Sequence, residues 1–178
     1  MKLNKGDIVF VKGKSIISKT IMAFDKGKFS HCGIAISDTT MIEAEYSHRT
    51  GAVIFDPSNY SDYEVINLGL DATQRESVKR EALALIGKRY DFGQILWYVI
   101  GDLFNIKGKN RLNNPNNLIC SELVYIVLHN SKVLDDLGIK ESFDKGVDLT
   151  PNQLYDLLKF ASKKVAQKNT RRDEIISG

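Results

Sequence analysis

The chain has 178 residues, 43% of them apolar and 26% charged, which fits one ordinary globular domain with a core of its own. A formal charge of +3 is too small to argue for a nucleic-acid partner. Two cysteines do not make a disulfide scaffold, so a reduced, cytoplasmic setting is the expectation.

Residues 1–7 lack the apolar stretch of a secretory signal. The longest apolar run, residues 95–100, is stopped by Asp102 and is too short to span a bilayer, so no transmembrane segment is expected. The first elements read as short strands. Asp7-Ile8-Val9-Phe10-Val11 is a β-rich run closed by Lys12-Gly13. Residues 15–24 have Ile17, Ile21 and Phe24 at helical spacing. A Lys26-Gly27-Lys28 turn leads into a strand through Ser30-His31-Cys32-Gly33-Ile34. Residues 40–46, 52–55 and 63–68 read as further strands.

The second part is helical. Thr73 and Glu76 form a capping-box pattern ahead of Val78, Ala82, Leu85 and Ile86, and Gly87 closes that helix. Residues 92–104 are predicted as a mostly buried helix. Residues 106–117, rich in Lys, Asn and Gly, form a loop delivering the chain to Cys120. A helix follows, striped by Leu123, Val124, Val127 and Leu128. Thr150-Pro151-Asn152-Gln153 opens the last helix with a capping residue, proline at the first helical position and a glutamine partner. Strands first and helices afterwards predict an α+β domain over residues 1–165, with helices against one side of an antiparallel sheet. Residues 166–178 read as a polar, flexible tail carrying part of a basic cluster, Lys159 to Arg172.

The chemistry gathers at two places. Cys120 follows a polar loop and opens an apolar helical pattern. A helix N-terminus stabilises a thiolate, and its unpaired N–H groups can receive an oxyanion. His31 is the candidate to take the thiol proton and return it to a leaving group. Strand alternation puts His31, Gly33 and Ala35 on one face and Cys32, Ile34 and Ile36 on the other. Cys32 is therefore expected to pack inward, as the lesser nucleophile. Glu43 and Glu45 are candidates to orient the imidazole, and alternation does not separate them. His31, His48 and His129 lie in separate segments, with no paired ligand spacing, so neither metal nor cofactor is expected.

Gly6-Asp7-Ile8-Val9-Phe10, Ser30-His31-Cys32-Gly33-Ile34 and Met41-Ile42-Glu43-Ala44 together resemble the sheet half of the NlpC-type papain-like cell-wall peptidases. Residues 87–92 and Ile119-Cys120-Ser121-Glu122-Leu123-Val124 resemble their Gly-x-Pro-Tyr segment and cysteine helix, with Arg89 in place of the frequent proline. The two halves are exchanged, as in the circularly permuted YiiX-like branch, where a Thr-Pro such as Thr150-Pro151 also recurs. The resemblance implies a permuted papain-like fold and a cysteine hydrolase with Cys120 as nucleophile, His31 as base and Glu43, rather than Glu45, as orienting group. It implies Tyr90 as a substrate-binding residue near the cysteine, and a cell-wall peptide or lipid-linked acyl group as substrate. The alternatives are an acyltransferase and a non-catalytic binding module on the same fold. The apolar residues 92–104, with Trp97 and Tyr98, would line an acyl-chain wall if they border the cleft.

Overall fold

The computed structural model describes residues 2–44, 49–90, 117–118, 120–139 and 149–177. Five strands form one antiparallel sheet: β1 (Ile8–Lys12), β2 (His31–Ala35), β3 (Thr40–Glu43), β4 (Gly51–Ile54) and β5 (Asp62–Ile66). Their spatial order is β4-β3-β2-β1-β5, so β2 is central. Each pair is antiparallel, with Phe10 opposite Cys32 and Gly33 opposite Glu43.

The two faces of the sheet are covered unequally. Phe10, Cys32, Ile34, Ile42 and Ile66 point into the main core. Val9, Val11, Ala35, Met41 and Phe55 form a smaller cluster behind. This is the period-2 alternation expected of a sheet packed on both sides.

Helix α1 (Ile16–Asp25) follows β1 and is capped by Ser15, whose side chain accepts from the Ser18 N–H. Helix α2 (Ala72–Ala84) starts two residues earlier than the capping box read from the sequence implies. Its cap is Asp71, which exchanges hydrogen bonds with Gln74 across the first turn. Asp-x-x-Gln and Thr-x-x-Glu overlap here, and the former falls where the extended chain turns. Glu76 instead reaches out to pair with Lys5. Gly87, at φ 86°, ends the turn after α2.

The segment after α2 returns to the sheet. Thr50 exchanges backbone hydrogen bonds of 2.8 Å with Gly87 and Lys88. A two-residue strand β6 (Arg89–Tyr90) then pairs in parallel with β7 (Asn117–Leu118), which leads into helix α3 (Cys120–Asn130). Asn117 is thus strand rather than loop. The expected helix over residues 92–104 and the rest of the expected loop lie outside the described residues.

Helix α3 packs directly on β2. Its stripe of Leu123, Val124, Val127 and Leu128 is fully buried. Burial of each such side chain contributes about 1.5–3 kcal/mol before the entropy of ordering is subtracted. A short helix α4 (Val133–Asp136) extends this packing.

Helix α5 (Pro151–Ser177) has the predicted start: Thr150 and Gln153 form the reciprocal cap, at 2.9 and 3.2 Å. It continues through residues 166–177, which the sequence reading assigned to a flexible tail. No glycine or proline interrupts residues 152–177, and Ala, Lys, Gln and Arg sustain the helix. Tyr155 on α5 packs edge-on against Phe10 and tilted against Phe29, with centroids 5.3 and 4.8 Å away. Its hydroxyl donates to Glu64 on β5 at 2.7 Å, which fixes the helix against the sheet. Among the described residues, no helix is long and apolar enough to cross a membrane.

Candidate active site

His31 is the first residue of β2 and Glu43 the last of β3. Gly33 lies opposite Glu43, so His31 is its diagonal neighbour on the same face. A side chain at Gly33 would meet the Ile42 carbonyl at 3.0 Å and Glu43 Cβ at 3.4 Å. The missing Cβ leaves room for imidazole and carboxylate to meet across that position. His31 Nε2 and Glu43 Oε2 are 2.9 Å apart, and both side chains are largely buried. Glu45 lies outside the described residues.

Cys120 is the first residue of α3 and only 4% exposed. It meets β2 at that strand's first two residues. The Cys32 thiol and backbone and the His31 side chain are the groups that act on its thiol. With Nε2 committed to Glu43, Nδ1 is the imidazole nitrogen left for Cys120.

This contact set decides the protonation states. The Cys32 hydrogen bond is the largest influence holding the Cys120 thiol well below its ordinary pKa. Burial opposes it, and the His31 charge and hydrogen bond add to it. For His31, burial alone would lower the pKa. The Cys120 charge and hydrogen bond, with the Glu43 hydrogen bond and charge, outweigh burial and raise it well above the ordinary value. Cys32 goes the other way. Burial raises its thiol pKa, and the adjacent Cys120 and Glu43 charges raise it further. The arrangement favours a Cys120 thiolate beside a His31 imidazolium, with Cys32 keeping its proton.

Iodoacetamide at limiting concentration is therefore expected to label Cys120 and spare Cys32. The thiolate should persist as pH falls below about 8.5, the region where an ordinary thiol protonates. Peptide mapping across a pH series reads both. Preferential labelling of Cys32, or a rate that follows an ordinary thiol, would contradict this electrostatic picture.

Two ties hold the cluster together. Ser121, next to Cys120, donates its hydroxyl to the Leu149 carbonyl at the start of α5. Three residues on, Asn152 grips the backbone of Phe29, two residues before His31. Phe29 N–H donates to Asn152 Oδ1 at 2.9 Å, and Asn152 Nδ2 donates to the Phe29 carbonyl at 2.8 Å. Thr150 and Asn152 also donate to the Asp25 carboxylate. A Cβ at Gly27 would fall 2.1 Å from Asn152 Cγ, so the close approach depends on that glycine. The start of α5 thus positions both the histidine strand and the cysteine helix.

Tyr90 is placed by its backbone: β6 pairs Tyr90 with Leu118, two residues before Cys120. The sequence reading missed Cys32 and Asn152 as members of this cluster. The inward parity of Cys32 was the available signal, since the side it faces is the side against which α3 packs.

The fold and cluster define a class: an α+β domain with a sheet-borne His–Glu pair and a helix-borne cysteine in contact with the histidine. No family model matches the chain. No curated protein matches it either. Among solved structures, the chain is similar to the metalloprotein yiiX (DUF1105) from Escherichia coli O157:H7. The TM-score is 0.55 at 21% identity, over 74% of this chain and 67% of that one. The chain therefore has a yiiX-like fold.

Proposed function

We infer that this protein is a cysteine hydrolase of the circularly permuted NlpC-type, cleaving an amide or ester through Cys120, His31 and Glu43. The contact of Cys120 with an imidazole that is itself bonded to Glu43 carries this reading. A nucleophile, a base and a group orienting the base are the minimal set for acyl transfer.

In this reading the Cys120 thiolate attacks the substrate carbonyl carbon. The oxyanion is received by N–H groups of the first turn of α3, which have no acceptor within the helix. The intermediate collapses as the His31 imidazolium gives its proton to the leaving amine or alcohol, leaving a thioester on Cys120. Neutral His31 then takes a proton from water, which attacks the thioester and releases the acid. Glu43 holds the ring with Nδ1 toward the sulfur throughout. Tyr90 is assigned to substrate binding in this reading, on the family resemblance and on the pairing of its backbone with Leu118. The substrate is a cell-wall peptide or a lipid-linked acyl group.

Incubation with a panel of amide, ester and thioester substrates, followed by intact-protein mass spectrometry, is expected to trap an acyl adduct on Cys120. Its mass identifies the acyl group. Failure of every substrate to acylate a freely alkylatable Cys120 would favour a binding module. Turnover only when an acyl acceptor other than water is supplied would favour an acyltransferase.

The relative of similar fold is a metalloprotein. Among the described residues here, no group of three or more His, Cys, Asp or Glu is arranged to hold a metal ion. His31 Nε2 is engaged by Glu43, and the Cys120 sulfur by His31 and Cys32. The described donor set does not fit a metal, and no step above uses one. A chelator is expected to leave turnover unchanged, whereas iodoacetamide abolishes it. Activity lost to chelator and restored by zinc would replace this mechanism with a metal-dependent one.

A further inference from the structure

Cys32 forms and breaks no bond in the hydrolytic cycle, yet it lies beside Cys120 where α3 packs on β2. It is fully buried, on the helix-facing side of β2, in the same core cluster as Cys120. Both cysteines are free. The cysteine at the start of α3 and the one on β2 share one buried cluster where the helix packs on the strand, near enough for each thiol to act on the other's protonation. Access is unequal: Cys120 is 4% exposed and Cys32 is 0% exposed. A small uncharged oxidant approaching from solvent reaches Cys120 first.

We propose that Cys32 is a resolving thiol, and that a hydroperoxide converts the Cys32–Cys120 pair reversibly into a disulfide that switches the site off. The proposal rests on the reading of Cys120 as the reactive thiolate.

The chemistry runs in two steps. The Cys120 thiolate attacks the outer oxygen of the hydroperoxide, the O–O bond breaks, and a Cys120 sulfenic acid forms. The alkoxide or hydroxide that leaves takes a proton from the His31 imidazolium. The Cys32 sulfur then attacks the Cys120 sulfur and the S–O bond breaks. The proton lost by Cys32 and the departing hydroxide make water. Two thiols are oxidised by two electrons, and the hydroperoxide is reduced to an alcohol or water. A dithiol reverses the change by exchange, returning both thiols. The burial that makes Cys32 a poor target for bulky alkylators keeps it reduced until its neighbour has been oxidised. Capture by Cys32 also protects Cys120 from the irreversible sulfinic state.

The test is intact-protein mass spectrometry after one equivalent of hydrogen peroxide, with peptide mapping and no turnover readout. The expected result is a loss of about 2 Da, a cross-link between the peptides carrying Cys32 and Cys120, and full recovery with dithiothreitol. Iodoacetamide labelling of Cys120 should vanish and return in parallel. Cys32→Ser keeps the size and a hydrogen-bond donor but no sulfur. It is expected to gain about 16 and then 32 Da at Cys120, with labelling not restored once sulfinic acid forms. A wild-type protein that accumulates sulfenic or sulfinic acid on Cys120 with Cys32 still free overturns the pairing and leaves the nucleophile reading standing. A Cys120 that reacts with neither peroxide nor iodoacetamide overturns both.

Discussion

Replacement of His31 by alanine is expected to slow turnover by about 10²–10⁴-fold, the range that a positioned acid–base group supplies. The variant removes the proton acceptor and also a cation that, with Cys32, helps hold Cys120 as a thiolate. Alkylation of Cys120 should therefore require higher pH in the variant, which separates this loss from simple unfolding. Glu43→Gln probes the next link. It can keep a hydrogen bond to Nε2 but removes the charge that helps raise the His31 pKa. The imidazolium is lost as pH rises through that pKa, so the alkaline limb of the rate profile should move to lower pH. The loss in rate should be smaller than for His31→Ala, with little effect on folding. Glu45→Gln should do much less than Glu43→Gln. A larger loss at Glu45 would place the orienting carboxylate two residues further along.

The same residues show what the sequence could reveal and where it stopped. The sheet was legible because alternation is a local signal. Val9, Val11, Ala35 and Met41 fall on one side and Phe10, Cys32, Ile34 and Ile42 on the other, as the pattern required. The stripe on α3 was legible for the same reason, with period 3.6 in place of 2. Alternation also gave the direction of Cys32, but not what lies on that side, because Cys120 arrives there only through tertiary packing. The strand pair β6–β7 has two residues in each strand, too few for any periodicity to register. The choice between Asp71 and Thr73 as helix cap turned on where β5 releases the chain, which neither capping pattern encodes. Glu43 was separated from Glu45 by resemblance alone. The 2.9 Å contact to His31 supplies the physical reason: Glu43 shares a ladder position with a glycine that leaves space for the imidazole.

Asn152→Ala is expected to lower stability by about 2–4 kcal/mol, from two Phe29 backbone groups left without partners at about 1–3 kcal/mol each. Phe29 is fully buried, and its backbone N–H and carbonyl are both satisfied by this one amide. The sequence showed Asn152 only as the second residue of a capped helix, since its partner lies far away along the chain. The functional consequence follows from position. Phe29 fixes where β2 begins, and His31 is the first residue of β2. A shift of roughly 1 Å in a catalytic group can cost about 10²-fold in rate, so turnover should fall beyond what the loss of folded protein explains. A positioning role also predicts that the pH profile of Cys120 alkylation moves toward that of an ordinary thiol, because the imidazolium is no longer held against the sulfur. Asn152→Asp sharpens the test. It retains an acceptor for the Phe29 N–H, loses the donor to the Phe29 carbonyl, and sets a second carboxylate beside Asp25. That variant should be weakest at neutral pH and should recover as pH falls toward about 4, where a carboxyl regains its proton and serves as donor. Reduced stability in Asn152→Ala with an unchanged alkylation profile would make the clamp a structural tie and nothing more.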